Sequence, residues 1–261
     1  MMHARELAER AYFVLCLALA WLLRSGRYSK ARIVNEGGER LVRKHRLLYA
    51  PLLVWLGGPL VRILDTGVQV LPQREWEERE RSVYRSLYGT SIRIYGRMLV
   101  LPCLAGETLA SVLEDPDLME SVRKRAIERA VVALAELHHL GFTHGDAMAE
   151  NVLVDLEAGV AHWVDFETIH DSRRPPAWRR ADDLRALLVT CLVPTAPEKL
   201  AETLQLILDV YSDDGVSGLL ATSFTSVMRR PLTFHLAQAA LSFQCFREIA
   251  RLLVRQVTLR H

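Results

Sequence analysis

A stretch of 24 residues in the second half of the chain constrains the fold more than any other part of the sequence. Residues 144–167 read HGDAMAENVLVDLEAGVAHWVDFE and follow a helix-like run that ends at Gly141. Two β-rich runs separated by Glu-Ala-Gly predict a small hairpin inside this stretch. A loop that carries Asp146 and Asn151, beside a strand that ends at Asp165, can bring three oxygen-bearing side chains together.

These three side chains suit phosphoryl transfer, which needs a base near the accepting hydroxyl and ligands for a metal ion on the phosphates. Asp146 is the candidate catalytic base. Asn151 and Asp165 supply oxygen atoms, the ligands that Mg²⁺ prefers. A single Asp or Asn in a loop is usually a turn residue or a cap. The prediction therefore depends on the combination and its spacing.

The stretch resembles the catalytic loop and the D-F-G segment of the protein-kinase-like superfamily. His144-Gly145-Asp146 with Asn151 matches the first, and Asp165-Phe166-Glu167 matches the second. The H-G-D form is similar to aminoglycoside and choline phosphotransferases, RIO-type kinases, the small kinase of the KEOPS complex and lipopolysaccharide core kinases. The resemblance covers roughly residues 30–192 and is most specific over 137–167.

The resemblance implies an α+β, two-lobed protein-kinase-like fold with a small β-rich N-lobe and a mostly helical C-lobe. We expect an apolar N-terminal extension at residues 1–29, the N-lobe at 30–104 and the C-lobe at 105–261. The junction between the lobes is expected near residues 102–106.

The resemblance also assigns an ATP site. Lys44 would hold the α- and β-phosphates, and Glu80 would pair with it, with Glu77 as the alternative one helical turn earlier. Backbone groups of Leu101 and Cys103, in the hinge between the lobes, would bind adenine.

Two further residues are expected to support the catalytic loop. His144 would do so through hydrogen bonds rather than take part in the chemistry. Asp183 matches a helix aspartate that braces the catalytic loop in the family. Asp182 is the alternative for that role, or a helix cap.

The chain departs from the family pattern in four places. It has no G-x-G-x-x-G, so the nucleotide loop would be either residues 25–30 or the turn at 35–38. Met148 stands where many kinases have a lysine, and Glu167 replaces the glycine of D-F-G. The link from Asp165 to the helix aspartate is short and contains no A-P-E. The last two departures, Glu167 and the short link, argue against a conventional regulated protein kinase.

The predicted function is an Mg²⁺-ATP-dependent phosphotransferase that moves the γ-phosphate to a hydroxyl of a small molecule, a lipid-linked sugar or a restricted protein target. The alternative is a pseudokinase, a scaffold or regulator that binds nucleotide without turnover, and the missing glycine motif favours it. Residues 173–180, with four arginines, would lie beside the acceptor site and contact an anionic substrate or membrane.

Hydrophobic periodicity and turn signals predict most of the regular structure. The clearest helix is at 118–140, where apolar residues recur at three- and four-residue spacing. The other predicted elements are helices at 4–24, 73–87, 181–192, 197–211 and 232–256, a β-hairpin at 31–45, and strands at 91–95, 98–101, 152–155 and 161–164.

The composition of the chain limits which partners and which cellular location can be predicted. A formal net charge of +2 gives no support for nucleic-acid binding. Four dispersed cysteines without C-x-x-C indicate reduced thiols of a cytoplasmic protein. Apolar stretches at 11–23 and 47–61 are too short or too interrupted to predict a membrane-spanning helix. They either pack against the fold or contact the surface of the cytoplasmic membrane as a peripheral attachment.

Overall fold

The structure is a computed structural model of the 261-residue chain, and it describes residues 29–47, 67–224 and 243–258. Three regions of the sequence predictions lie outside these residues. The first is the helix at 4–24, with its apolar stretch at 11–23, and the second is the apolar stretch at 47–61, apart from Leu47. The third is residues 232–242, the first part of the helix predicted at 232–256.

Nine strands and seven helices lie within the described residues. The strands are β1 (Ser29–Glu36), β2 (Glu39–Arg46), β3 (Val68–Val70), β4 (Arg93–Tyr95), β5 (Met98–Pro102), β6 (Glu107–Thr108), β7 (Val152–Asp155), β8 (Val160–Trp163) and β9 (Thr168–His170). The helices are α1 (Gln73–Tyr88), α2 (Leu109–Glu114), α3 (Glu120–His139), α4 (Pro176–Leu192), α5 (Leu200–Tyr211), α6 (Asp214–Phe224) and α7 (Phe243–Thr258).

The first part of the chain forms a four-stranded antiparallel sheet in the order β1-β2-β5-β4. β1 and β2 are a hairpin closed by Gly37 and Gly38, which both have positive φ, as the sequence predicted. In the register of this sheet, Lys44 of β2 lies opposite Ala31 of β1 and Leu99 of β5. The sheet therefore presents Lys44 on a central strand.

α1 packs one face against the core, as its single apolar stripe predicted. Its buried residues include Trp76, Val83 and Tyr84, at helical spacing. Glu80 lies on this same face and is fully buried. Gly89 ends the helix in the left-handed conformation, with φ 61°. A carboxylate on the buried face of a helix needs a cationic partner, because an unpaired buried charge is costly.

The second part of the chain is mostly helical and is organised around α3. Ala130, Val131, Leu134 and Leu137 of this helix are fully buried. Burying a leucine side chain stabilises a fold by about 2 kcal/mol. α3 ends at His139, just before Gly141. The loop that follows connects α3 to the β7–β8 hairpin.

One strand pair has no counterpart in the sequence predictions. β3 and β9 pair antiparallel, with Gln69 opposite Ile169. The pairing continues past the strands, since Leu71 N–H donates to the Glu167 carbonyl oxygen at 2.9 Å. This ladder joins the chain just before α1 to the chain just after Asp165-Phe166.

The helices after β9 correct the sequence predictions in two places. α4 begins at Pro176 instead of residue 181, because proline is well suited to the first turn of a helix. Residues 176–180 are therefore the first turn of α4 and not part of a loop. The region after α5 was expected to be a loop, but residues Asp214–Phe224 form α6.

The α+β, two-lobed fold predicted from the sequence is confirmed, with the sheet and α1 before the hinge and the helical part after it. Within the described ranges, none of the helices combines the length and the apolar composition that crossing a bilayer requires. Cys103 and Cys191 are free thiols.

Candidate active site

The catalytic loop connects α3 to the β7–β8 hairpin and is ordered by its own side chains. Asn151 Nδ2 donates to the Asp146 carbonyl oxygen at 2.8 Å and to Asp146 Oδ2 at 3.1 Å. The Asn151 carbonyl oxygen accepts from Val164 N–H at 2.9 Å, one residue before Asp165. The loop and the strand end that carry the three predicted oxygen-bearing side chains are therefore hydrogen-bonded neighbours.

Asp183 of α4 holds the catalytic loop through hydrogen bonds to its backbone. Its two carboxylate oxygens accept hydrogen bonds from the backbone N–H groups of His144, at 2.6 Å, and Gly145, at 2.8 Å. His138 Nε2 lies 3.0 Å from the same carboxylate. Burial alone would raise the pKa of Asp183, but the neighbouring histidines and these hydrogen bonds outweigh it and lower the pKa to about 2. The group is a permanent anion under the loop.

Asp182, the alternative residue for that role, points elsewhere. Its carboxylate lies 3.2 Å from His170 Nε2 and also pairs with Arg185. The two hydrogen bonds to the backbone of the catalytic loop described above are made by Asp183.

His144 is fully buried and packs between the catalytic loop and the strand end. Its Nε2 lies 2.9 Å from the Val164 carbonyl oxygen, and its ring centroid lies 4.7 Å from that of Phe166. Burial lowers the pKa of His144 to about 4. A neutral imidazole in this position can orient the loop but cannot serve as an acid near neutral pH.

Gly145 explains the H-G-D form of the loop. Its φ is +84°, a conformation that glycine adopts without strain. A Cβ at this position would lie 3.1 Å from Ile169 N and from Thr168 Oγ1. A side chain between His144 and Asp146 would therefore require β9 to shift by a few tenths of an ångström.

Lys44 joins the two parts of the molecule at the site. Its Nζ lies 3.1 Å from Glu80 Oε1, 2.6 Å from Asp165 Oδ1 and 3.1 Å from Glu167 Oε1. Burial would lower the pKa of Lys44, but the three carboxylates outweigh it and raise the pKa well above its ordinary value. Glu77, the alternative to Glu80, instead accepts a hydrogen bond from Gln73.

Asp165 has an unusual backbone conformation and an exposed carboxylate. Its φ is +69°, which is uncommon for a residue with a side chain. Its side chain is 42% exposed, whereas Lys44 is almost entirely covered. Strained backbone of this kind is typical of functional positions. The exposed carboxylate is therefore accessible to a ligand from solvent.

Glu167 is a third carboxylate at this junction. Burial raises its pKa, as does the nearby charge of Asp165, while Lys44 lowers it. A hydrogen bond from the Ser29 side chain also reaches Glu167. The residue that replaces the D-F-G glycine therefore ties the start of β1 to the lysine.

The position of Ser29 separates the two candidates for the nucleotide loop. The turn at 35–38 is six residues from Lys44 along β2, about 20 Å away at about 3.3 Å per residue. The start of β1 lies instead at the Lys44 end of the sheet, since Ser29 pairs with Arg46. Of the two candidates, 25–30 is the one near the lysine, and only Ser29 and Lys30 of it are described.

The hinge differs from the expected arrangement. Cys103 N–H donates to the Arg40 carbonyl oxygen at 3.1 Å. Bonded pairs alternate along an antiparallel ladder, so the Val42–Leu101 pair in the same register is also hydrogen-bonded. The backbone groups of Leu101 and the N–H of Cys103 are thus used within the sheet. Leu104 N–H, the next donor along the hinge, makes no hydrogen bond within the described part of the chain.

Two apolar residues near the hinge were missed by the sequence reasoning. Val42 lies two residues before Lys44 and so faces the same side of β2. Ile33 is directly opposite Val42 in β1 and is 61% exposed. Alternate residues of a strand face the same side, so counting back two positions from Lys44 could have identified Val42 as its neighbour on that face. An exposed isoleucine on the face of the lysine offers an apolar surface to a flat ring.

The residues at the loop fit a hard divalent cation such as Mg²⁺. The Asn151 amide nitrogen is directed to Asp146, so Asn151 Oδ1 is the atom left for a cation. Together with the exposed Asp165 carboxylate this gives an oxygen-only set of ligands, which suits Mg²⁺. Within the part of the chain that is described, no group of three His, Cys, Asp or Glu residues could hold a metal ion. Such a site would therefore need oxygen atoms from the phosphates or from water.

A family comparison agrees with this geometry. Residues 98–207, less than half of the chain, match the model of the Lipopolysaccharide kinase (Kdo/WaaP) family. The match shows an ATP-dependent kinase and, over the matched residues, confirms the resemblance to the protein-kinase-like superfamily. No curated protein matches it. Of the resemblances suggested by the sequence, the one to lipopolysaccharide core kinases is confirmed.

The matched segment covers only one side of this kinase's site. It includes Asp146, Asn151, Asp165 and Asp183, and it begins at the first residue of β5. Lys44 and the α1 residues that surround it lie before the segment. Their place in the site therefore rests on the contacts described above.

Proposed function

We propose that this kinase transfers the γ-phosphate of Mg²⁺-ATP to a hydroxyl group of an acceptor. The observation that carries the proposal is the junction at Lys44, where a lysine from the sheet meets Glu80 of α1 and Asp165 of the strand end. A charged lysine fixed in this way can neutralise the α- and β-phosphates.

Asp146 is the proposed base. Asn151 holds the Asp146 carboxylate through Oδ2, and this carboxylate would accept the proton of the acceptor hydroxyl. The hydroxyl oxygen forms a bond to the γ-phosphorus while the bond to the β,γ-bridging oxygen breaks, and ADP leaves. Most of the rate enhancement in such a step comes from positioning and charge stabilisation, so small displacements of the loop are expected to be costly.

Asn151 and Asp165 would hold the magnesium ion, which supplies positive charge to the phosphates when it is bound. For the adenine, we propose the surface of Val42 and Ile33 as cover. Leu104 N–H is the proposed hinge donor in place of Cys103 N–H, because the latter already has a partner. Ser29, which contacts Glu167, marks the end of the sheet nearest to the phosphates.

The proposed acceptor is a sugar hydroxyl on an anionic lipid-linked glycan at a membrane surface. The lipopolysaccharide kinase match supports this class. So does the chain after β9, where Arg173 is highly exposed and pairs with Asp171, and Arg174 lies over the Trp178 ring at 5.0 Å. The link from Asp165 to α4 is short and leaves little room for a peptide platform.

The test is a search for phosphorylated products with the purified kinase, ATP and magnesium, using lipopolysaccharide as the first acceptor. Asp146→Asn should reduce turnover by at least about 1,000-fold while ATP still binds, since it removes the base and keeps the fold. Reversing the charges of Arg173 and Arg174 should raise the acceptor KM with little effect on the KM for ATP. Turnover that survives Asp146→Asn would exclude this mechanism, and an unchanged acceptor KM would exclude the arginine contact.

The alternative of a pseudokinase is supported by one observation. Within the described residues, the only glycine-rich turn of the sheet, at 35–38, is on the wrong side for covering phosphates at Lys44. Nucleotide binding without any product, in wild type and Asp146→Asn alike, would favour this alternative.

A further inference from the structure

Arg79, the residue before Glu80 in α1, reaches from the N-lobe to the catalytic loop. Its Nη2 donates a hydrogen bond to the Thr143 carbonyl oxygen. Its guanidinium carbon lies 6.0 Å from the centroid of the Phe166 ring. The helix that presents Glu80 to Lys44 thus also contacts the catalytic loop and the segment that follows Asp165.

The peptide group between Thr143 and His144 is held at both of its polar ends. Its carbonyl oxygen accepts from Arg79, and its N–H donates to Asp183 Oδ2 at 2.6 Å. A cation at the carbonyl and an anion at the N–H both match the direction of the peptide dipole. Asp146 is only two residues beyond His144, so its position depends on this peptide.

The environment of Arg79 suggests that stability is not the reason for its presence. Burial lowers its pKa, although Asp183 and Glu80 oppose that effect. Its Nε is buried and makes no hydrogen bond among the described residues. A partly buried cation with a buried, unsatisfied donor costs free energy, and an apolar side chain would avoid that cost. The contact is better explained by what it positions.

We propose that Arg79 is a positioning residue that ties the helix carrying Glu80 to the loop carrying Asp146. Through it, the phosphate-binding half and the base-bearing half of the site are assembled together. The effect on turnover rests on the proposed function, whereas the effect on the loop does not.

The first experiment compares Arg79→Met with Arg81→Met, an exposed arginine on the same helix. Arg79→Met should lower kcat by about 10–100-fold, because small displacements of catalytic groups cost rates of this order. The KM for the acceptor should stay within about threefold, since the contacts of Arg79 are to the catalytic loop and to Phe166. Arg79→Lys, which keeps the charge, should recover part of kcat, and Arg81→Met should match wild type. Wild-type kcat in Arg79→Met overturns the proposal.

A double-mutant cycle with Glu80→Gln distinguishes positioning from a general loss of structure. If Arg79 acts by holding the helix that carries Glu80, the double variant should be hardly slower than the slower single variant. Losses that multiply would show two independent effects and would contradict the proposal.

Hydrogen exchange of the His144 and Gly145 amides tests the contact without turnover. Arg79→Met should speed their exchange by at least about tenfold relative to Arg81→Met, because the loop loses one of its two anchors. Arg79→Lys serves for this measurement if the methionine variant does not fold. Unchanged exchange overturns the inference about Arg79. If the wild type forms no product but the His144 and Gly145 amides exchange faster in Arg79→Met, only the proposed kinase reaction is overturned.

Discussion

His144 is kept neutral by its surroundings, and this has a consequence for stability. The folded protein holds this imidazole unprotonated down to about pH 4, whereas the unfolded chain protonates it near pH 6.5. Between these values the unfolded state binds more protons, so acidification favours unfolding. From pH 7 to pH 5 the effect of this one group amounts to about 2 kcal/mol.

Replacing His144 by Gln should remove this part of the pH dependence. The glutamine cannot titrate, yet it can still donate to the Val164 carbonyl oxygen. Between pH 7 and pH 5, wild type should lose about 2 kcal/mol more unfolding free energy than His144→Gln, measured by urea unfolding. Equal losses in both proteins would show that this imidazole titrates normally in the fold.

Residue-scale prediction from the sequence was most successful where the spacing is local. Asp146 and Asn151 lie five positions apart on one loop, and their contact follows from that spacing. Glu80 was preferred to Glu77 through the family resemblance, and Glu80 lies beside Lys44 in the structure. The Arg79 contact to Thr143 spans 64 positions and depends on how the lobes pack. No local pattern could have indicated it.

At the scale of elements, long periodic segments were predicted well and short ones were missed. α1 and α3 have enough turns to show an apolar stripe, and the structure confirms both. β3 and β9 have three residues each, which is too few for a periodic pattern. Their pairing comes from tertiary contacts. α6 is long enough to show a pattern, but its two glycines and Asp214 indicated a loop, and the helix packs against α4 and α7.

The β3–β9 pair depends on Gly67, which begins the strand connection at φ +77°. A Cβ at this position would overlap the ring of Trp178. Gly67→Ala should therefore destabilise the protein by clearly more than the 1–2 kcal/mol expected for the left-handed conformation alone. It should also lower turnover, because the same ladder holds the Glu167 carbonyl at Leu71 N–H.

Gly89→Ala is the matched control for this change. Gly89 has a similar φ of +61°, but a Cβ there would meet nothing within 4 Å. It should therefore show only the backbone penalty, about 1–2 kcal/mol, and unchanged turnover. Urea unfolding and kcat, measured for both variants, test whether Gly67→Ala costs more stability and turnover than Gly89→Ala. Equal destabilisation by the two substitutions would show that Trp178 can move aside and that the ladder is not sensitive to this contact.

At the scale of the whole molecule, the proposed ligand site lies where the two parts of the chain meet. Lys44 from the sheet reaches Asp165, and β3 pairs with β9 across the same junction. The family match begins only at β5, so it does not include Lys44 or α1. A ligand bound at this junction stabilises both parts at once, because its binding requires them to be assembled.

This predicts a metal-dependent rise in melting temperature with ATP. At ATP concentrations ten times the dissociation constant, binding stabilises the folded state by about 1.4 kcal/mol, which corresponds to a rise of about 3–6 °C for a chain of this size. Asp165→Ala should abolish the part of the rise that needs magnesium, since it removes a proposed ligand of the ion. Asp117→Ala, which changes an exposed aspartate outside the site, should behave like wild type. If the rise in melting temperature of Asp165→Ala still depended fully on magnesium, Asp165 would not be a ligand of the metal ion. Its main role would then be the ion pair with Lys44.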